Sequence, residues 1–386
     1  MPDYYSLSEA QAALANPALP PNELAAVAAA QPGLWAQVAQ HPSAYAALLD
    51  WMSPWADAEV SAAIASRRAQ MAQALASNQL RQAIGKLTLV VTLAIVTMQL
   101  VTPTVIELGL IALVPSLRDR MHVTAGTIDT ASVTEALKPW LGWIMIAAAA
   151  SGACLYFILR GRRLVSTDIS TTVPVGNRWA TLGKIVVLFF SVQMFLTLAM
   201  DLITRTGYDP SRVQAQGIDP LLGSAAGIAY VTLVGPALEE IMFRGAILRH
   251  LAPYGVNFAI VTQAMLFGLY HLNLYQGFFA FVIGLLLGYV AINFSLKWSI
   301  LLHIANNSLV LLPTTDGAQT ALQVVFGLCA IGAVVIAILD RQRGRPLISA
   351  GGSPITHVFR IGWSHPAFIA VTAVLFVICT LMMILM

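Results

Sequence analysis

The sequence predicts an all-α polytopic membrane protein of about nine transmembrane helices, with a small soluble α-helical region at its amino end. Three observations carry this prediction. Of the 386 residues, 58% are hydrophobic and only 10% are charged. Mean hydropathy is +0.75, too apolar for an ordinary water-soluble domain. The apolar residues also gather into runs of the ~20 residues that cross a bilayer, nearly all of them after residue 80. The expected surroundings are therefore a lipid bilayer. A net charge of +3 supplies no basic face for nucleic acid, which is excluded as a partner. The three cysteines, Cys154, Cys329 and Cys379, sit inside apolar runs and suggest neither a disulfide framework nor a metal cluster. Met1-Pro2-Asp3-Tyr4-Tyr5-Ser6 has no basic region followed by an apolar core, so no cleaved signal peptide is expected.

Residues 1–80 read as a separate alanine-rich helical region. Asn16-Pro17, Gln31-Pro32, His41-Pro42 and Ser53-Pro54 punctuate it, and a residue before proline tends to leave the helical conformation. Between them, Glu23–Val27 and Tyr45–Leu49 have the pattern of short helices with one apolar side. The spacing of the prolines suggests degenerate helical repeats. The region resembles the alanine-rich variant leucine-rich-repeat modules of bacterial proteins over about two repeats. Two readings follow: a module that binds a cytosolic protein, or a small helical cap. A polar helix from Ala58 to Ala83, with Arg67, Arg68 and Arg81, leads on to the membrane domain, residues 81–386.

The predicted spans lie at about 87–114, 140–159, 182–203, 222–249, 256–274, 276–295, 298–313, 319–339 and 367–386. Pro103 predicts a bend or stop in the first, near Ile106. If the spans alternate, Lys86, Arg160-Gly161-Arg162-Arg163, Arg249, Lys297 and Asp340-Arg341-Gln342-Arg343-Gly344-Arg345 share one side. The other loops carry Arg118, Arg120, Lys138, Arg205 and Arg212 mixed with acids. The positive-inside bias then predicts a cytoplasmic amino terminus and an external carboxyl terminus, in a bacterial inner or plasma membrane.

Against this background one stretch stands apart: Gly235-Pro236-Ala237-Leu238-Glu239-Glu240-Ile241-Met242-Phe243-Arg244-Gly245. Each ionised side chain at mid-membrane costs about 2.5–3.5 kcal/mol on the insertion scale, so three within two turns need a reason beyond packing. On a helix Glu240 and Arg244 are spaced i,i+4 and face each other, while Glu239 points about 100° away. One acid is expected to neutralise the arginine and the other to be left for chemistry. Further polar residues occur in successive spans: Phe267-Gly268-Leu269-Tyr270-His271, and His303-Ile304-Ala305-Asn306-Asn307, where His303 and Asn307 share a face. A lone intramembrane histidine or asparagine commonly just bonds helices together. Their joint occurrence supplies an acid, two imidazoles and a carboxamide.

A carboxylate and an imidazole can deprotonate a water, and a second imidazole with an amide N–H can support an oxyanion. That set suits amide hydrolysis without a covalent intermediate. No Gly-x-Ser-x-Gly occurs, and Ser224 in Gly223-Ser224-Ala225-Ala226-Gly227 has no implied partner. No His-Glu-x-x-His occurs either. Pro236-Ala237-Leu238 is shared with intramembrane aspartyl proteases, but no Gly-x-Gly-Asp accompanies it and Asp209 lies in a loop.

Glu239-Glu240-x-x-x-Arg244, Phe267-x-x-x-His271 and His303-x-x-x-Asn307 together resemble the CAAX-processing and bacteriocin-processing (Abi, self-immunity) family of intramembrane glutamic endopeptidases. The resemblance covers about residues 180–313. It implies an endopeptidase cleaving a protein or peptide near the cytoplasmic face, without metal or cofactor. It implies catalytic roles for Glu239 and His271 at the water and for His303 and Asn307 at the oxyanion, with Glu240, Arg244 and Phe267 supporting; either glutamate remains a candidate base. Three other readings stay open. A metal-dependent version of the protease is one, since Glu and two His can bind Zn²⁺. A non-catalytic membrane scaffold or immunity protein that binds peptide is another. A transporter is the third, although no second half of the chain repeats the motifs.

Overall fold

The amino-terminal helices stop where the prolines require. Helix α1 (Leu7–Leu14) ends before Asn16-Pro17 and α2 (Pro21–Ala30) before Gln31-Pro32. Helix α3 (Trp35–Gln40) ends before His41-Pro42, and α4 (Ala46–Met52) before Ser53-Pro54. The computed structural model describes residues 4, 6–121, 123–124, 127–128, 130–160, 178–205, 218–311, 316–342 and 355–385. The predicted basic stretches Gly161-Arg162-Arg163 and Arg343-Gly344-Arg345, together with Asp209 and Arg212, lie outside the described residues. Contacts divide the chain into two units, Met1–Arg81 and Gln82–Met386.

The first unit has its own apolar core, in which Leu24, Val27, Val38, Leu49 and Met52 are fully buried. Polar groups tie the proline turns to it. His41 Nε2 donates to the Asn16 carbonyl at 3.0 Å, and its Nδ1 accepts from the Ser43 N–H at 3.1 Å. Both ring nitrogens are thus used inside the fold. Trp35 Nε1 donates to the Ala28 carbonyl at 2.7 Å, and its ring meets Trp51 edge to face at 5.5 Å. Asp57 Oδ1 accepts from the Val60 N–H at 2.8 Å, capping the helix that starts at Ala58.

That helix, α5, runs over Ala58–Leu113. Pro103 does not stop it near Ile106. A π turn over Thr97–Val101 precedes the proline, and the α-helix resumes over Thr102–Leu113. A proline ring clashes with the carbonyl four residues earlier, and the wider π turn opens room for it. Helix α6 (Pro115–Arg118) and a short antiparallel ladder, β1 (Val123–Thr124) with β2 (Thr127–Ile128), come next. Hydropathy gives no sign of that ladder.

The remaining helices are α7 (Thr130–Arg160), α8 (Arg178–Thr204), α9 (Ala225–Tyr254) and α10 (Val256–Tyr270). They are followed by α11 (Leu274–Asn293), α12 (Leu296–Leu311), α13 (Asp316–Gln342), α14 (Ile355–Trp363) and α15 (Pro366–Leu385). Five described helices are long and apolar enough to cross a membrane: α5, α8, α9, α11 and α13. The pair α14–α15, bent by 74°, makes a sixth if it is one span. The predicted nine are therefore not reproduced. The span expected at 256–274 is α10, with 15 residues, and that at 298–313 is α12, with 16. At ~1.5 Å per residue these reach only ~24 Å of a ~30 Å core. A sliding window counts apolar residues, and α10 is apolar because other helices bury it. The span expected at 140–159 lies within α7.

Two close approaches fix the helices around the acids. Helices α10 and α11 form a hairpin whose backbones touch at Gly268 and Gly277; a Cβ on Gly268 would stand 2.6 Å from the Gly277 carbonyl oxygen. Gln263 Nε2, buried in the hairpin, donates to the Gly284 carbonyl at 2.8 Å. Helix α8 is held to α13 by Lys184 Nζ, 2.7 Å from both Asp340 carboxylate oxygens, and by stacking of Phe190 on Phe326.

Candidate active site

The two acids sit on a single α-helical segment of α9, Gly235–Glu240, between two π segments, Tyr230–Val234 and Ile241–Leu248. As at Pro103, the first π turn ends two residues before a proline, here Pro236. Each extra residue in a turn rotates the helix beyond it, so the facing of the acids is set by these insertions as well as by the 3.6-residue repeat.

Glu240 is fully buried and is the hub of the site. Its Oε1 lies 2.8 Å from Arg244 Nη1 and 2.9 Å from His303 Nδ1, and its Oε2 accepts from the Ser299 hydroxyl. Arg244 is fully buried as well. Charge rather than an aligned hydrogen bond holds it to Glu240, because its Nε and both Nη atoms have no hydrogen-bond partner among the described residues. The guanidinium instead lies over the Phe267 ring, with Cζ 4.3 Å from the centroid, which suits a weakly hydrated planar cation. Gly284 gives it room: a Cβ there would sit 3.3 Å from Arg244 Nη2 and 3.2 Å from Ala264.

Phe267 gathers the other groups. Its ring meets His271 edge-on at 4.9 Å, His303 at 5.8 Å and Phe243 at 5.0 Å. His271 Nδ1 donates to the Phe267 carbonyl at 2.8 Å, one helical turn back, which leaves Nε2 as an acceptor. His303 Nδ1 is turned to Glu240, so its Nε2 faces the second acid, 3.9 Å from Glu239 Oε2. The Glu239 side chain keeps 13% of its surface open, where that of Glu240 keeps none. Asn307 stands one turn beyond His303; its Nδ2 donates to the Val231 carbonyl at 3.0 Å, at the first π turn.

The structure thus brings Glu239, Glu240, Arg244, Phe267, His271 and His303 into one cluster, with Asn307 beside it. It also adds Ser299, absent from the three motifs. Ser299 precedes His303 by four residues on α12, and that i,i+4 spacing places it on the same face. Ser224, which has no catalytic partner implied by its sequence, caps α9 by accepting from the Gly227 N–H at 3.0 Å. Among the described residues no group of three or more His, Cys, Asp or Glu side chains is placed to hold a metal ion.

Residues 221–309 match the family model described as Type II CAAX prenyl endopeptidase Rce1-like. The match lies within the Gln82–Met386 unit. All seven residues singled out by the three motifs fall inside the match, and so does Ser299. The matched segment is narrower than the 180–313 expected from the motifs: α8, α13, α14 and α15 lie outside it. With the apolar helices, the Rce1-like domain supports a membrane protease, a hydrolase of peptide bonds. Residues 8–68 match a second family model, the Leucine Rich Repeat Variant domain. No curated protein and no solved structure matches this chain.

Proposed function

We propose that the protein is an intramembrane endopeptidase that hydrolyses a peptide bond near the cytoplasmic face with a water activated by Glu239 and His271. The observation that carries this reading is the division of labour between the two acids. Glu240 is consumed by Arg244, His303 and Ser299. Glu239 stands 3.9 Å from His303 Nε2 with part of its side chain open. The acid that acts on the water and the imidazole that meets the oxyanion are thus side by side, as attack on one carbonyl requires.

The charges fit the same reading. Glu240 and Arg244 make an opposite pair, and a buried ion is best tolerated when its charge is cancelled by a partner. Glu239 takes one proton from the water as the oxygen attacks the carbonyl carbon, and His271 Nε2 accepts a hydrogen bond from the other. The oxyanion that forms meets His303 Nε2–H and the Asn307 amide hydrogen not given to Val231. The proton held by Glu239 passes to the amine nitrogen as the C–N bond breaks, leaving a carboxylic acid and an amine. Glu240 fixes the orientation of the His303 ring by accepting from Nδ1–H, and Arg244 balances the Glu240 charge.

A multi-pass arrangement in the cell membrane with a cytoplasmic amino terminus is part of this proposal. The variant-repeat unit is then a cytosolic module that binds a protein. Comparing new protein termini in membranes from cells making wild-type protein and cells making the Glu239→Gln variant tests the reading. At least one cleavage site is expected with the wild type and absent with the variant. Identical sets of termini would overturn the protease assignment and favour a peptide-binding scaffold.

A further inference from the structure

We infer that Gln193, on α8 and outside the segment that matches the Rce1-like family, is a positioning residue that fixes the direction of the Asn307 carboxamide. The inference rests on the proposed function of Asn307 and goes beyond it. Three amide side chains and one backbone carbonyl form a chain across three helices. Gln193 Nε2 donates to Asn306 Oδ1, Asn306 Nδ2 donates to Asn307 Oδ1 at 3.2 Å, and Asn307 Nδ2 donates to the Val231 carbonyl at 3.0 Å.

The polarity of this chain follows from its last member. A backbone carbonyl can only accept, so the Asn307 NH₂ must face Val231 and its Oδ1 must face Asn306. Asn306 must then present NH₂ to Asn307 and Oδ1 to α8. Only a donor on α8 completes the sequence, and Gln193 supplies it. Gln193 is buried, 8% exposed, so water is a poor substitute there. An Asn307 held this way keeps its second amide hydrogen in a set direction, which is what a donor to a developing oxyanion needs. Asn306 is thereby more than the neighbour of a functional residue: it transmits the orientation from α8.

The experiment uses the full chain, purified in detergent, and a quenched peptide built on a site that wild-type protein cleaves in membranes and Glu239→Gln does not. Gln193→Glu replaces the donor with an acceptor of the same shape. Where that carboxyl is ionised it is expected to lower kcat about tenfold or more, since displaced catalytic groups lose rate on that scale, with KM within about twofold. Burial raises the pH at which it ionises, so the ratio of variant to wild-type kcat is followed to alkaline pH and is expected to rise as the pH is lowered and the carboxyl gains the proton it can donate. Gln193→Met, which keeps bulk without charge, is expected to lose about threefold to tenfold in kcat at every pH, with no such recovery. Wild-type kcat in Gln193→Met, or a Gln193→Glu ratio that stays flat across the ionisation of that carboxyl, would overturn the inference while leaving the protease assignment standing. Absence of any site that depends on Glu239 would overturn both.

Discussion

Glu239→Gln protein is expected to fold and insert like the wild type and to lose cleavage by about 10²–10⁴-fold in kcat, the usual worth of a positioned general base. Glutamine keeps the shape and the hydrogen-bonding reach of the side chain but cannot take a proton from water. KM is expected to change little, because the carboxylate acts on the water rather than on the peptide. Glu239 carries no structural partner comparable to those of Glu240; His303 stands 3.9 Å from it. The thermal midpoint in detergent is therefore expected to stay near that of the wild type. Steady-state kinetics with a thermal melt on the same preparation checks both halves of this expectation.

The second large effect is on stability. Arg244→Met takes the guanidinium from Glu240 in the protein interior and leaves it only His303 and Ser299, a change that costs about 3–5 kcal/mol. Arg244 is completely enclosed, 2.8 Å from Glu240 and packed on Phe267. Arg244→Lys is expected to recover less than half of it, because a compact ammonium cannot both reach Glu240 and lie flat over the ring. The double change Glu240→Gln with Arg244→Met removes both charges and is expected to regain much of the stability. It is not expected to regain activity, because Glu240 also orients His303. Denaturation midpoints and cleavage rates measured on all three variants separate the two roles.

These expectations use parts of the molecule that were unequally legible in the sequence. Three charged residues in a long apolar run pointed to α9, and the i,i+4 spacing of Glu240 and Arg244 anticipated their contact. The proline steps marked the ends of the first four helices, because the restriction before proline is local. What hydropathy could not give was the number of spans. It scores apolar residues alike, whether lipid or protein buries them, and α10 is apolar without the length to cross.

The partners of His303 were equally hidden. Its bond to Glu240 depends on two π segments that turn α9 about its axis, and no spacing rule encodes such an insertion. Ser299 was within reach of helical spacing, but a serine in an apolar helix is too common to stand out. The amide chain from Gln193 to Val231 joins residues more than a hundred positions apart in places, and only the fold brings them into line.

Whether Glu239, as base to the water, and His303, as donor to the oxyanion, serve one transition state is decided by a double-mutant cycle on single-turnover cleavage, comparing wild type, Glu239→Gln, His303→Gln and the variant carrying both. If the two side chains act on one transition state, the double variant is expected to fall no more than about threefold below the slower single variant, as groups that work as a unit do. If the two losses multiply, Glu239 and His303 act independently, and this cluster is not the site that cleaves the peptide.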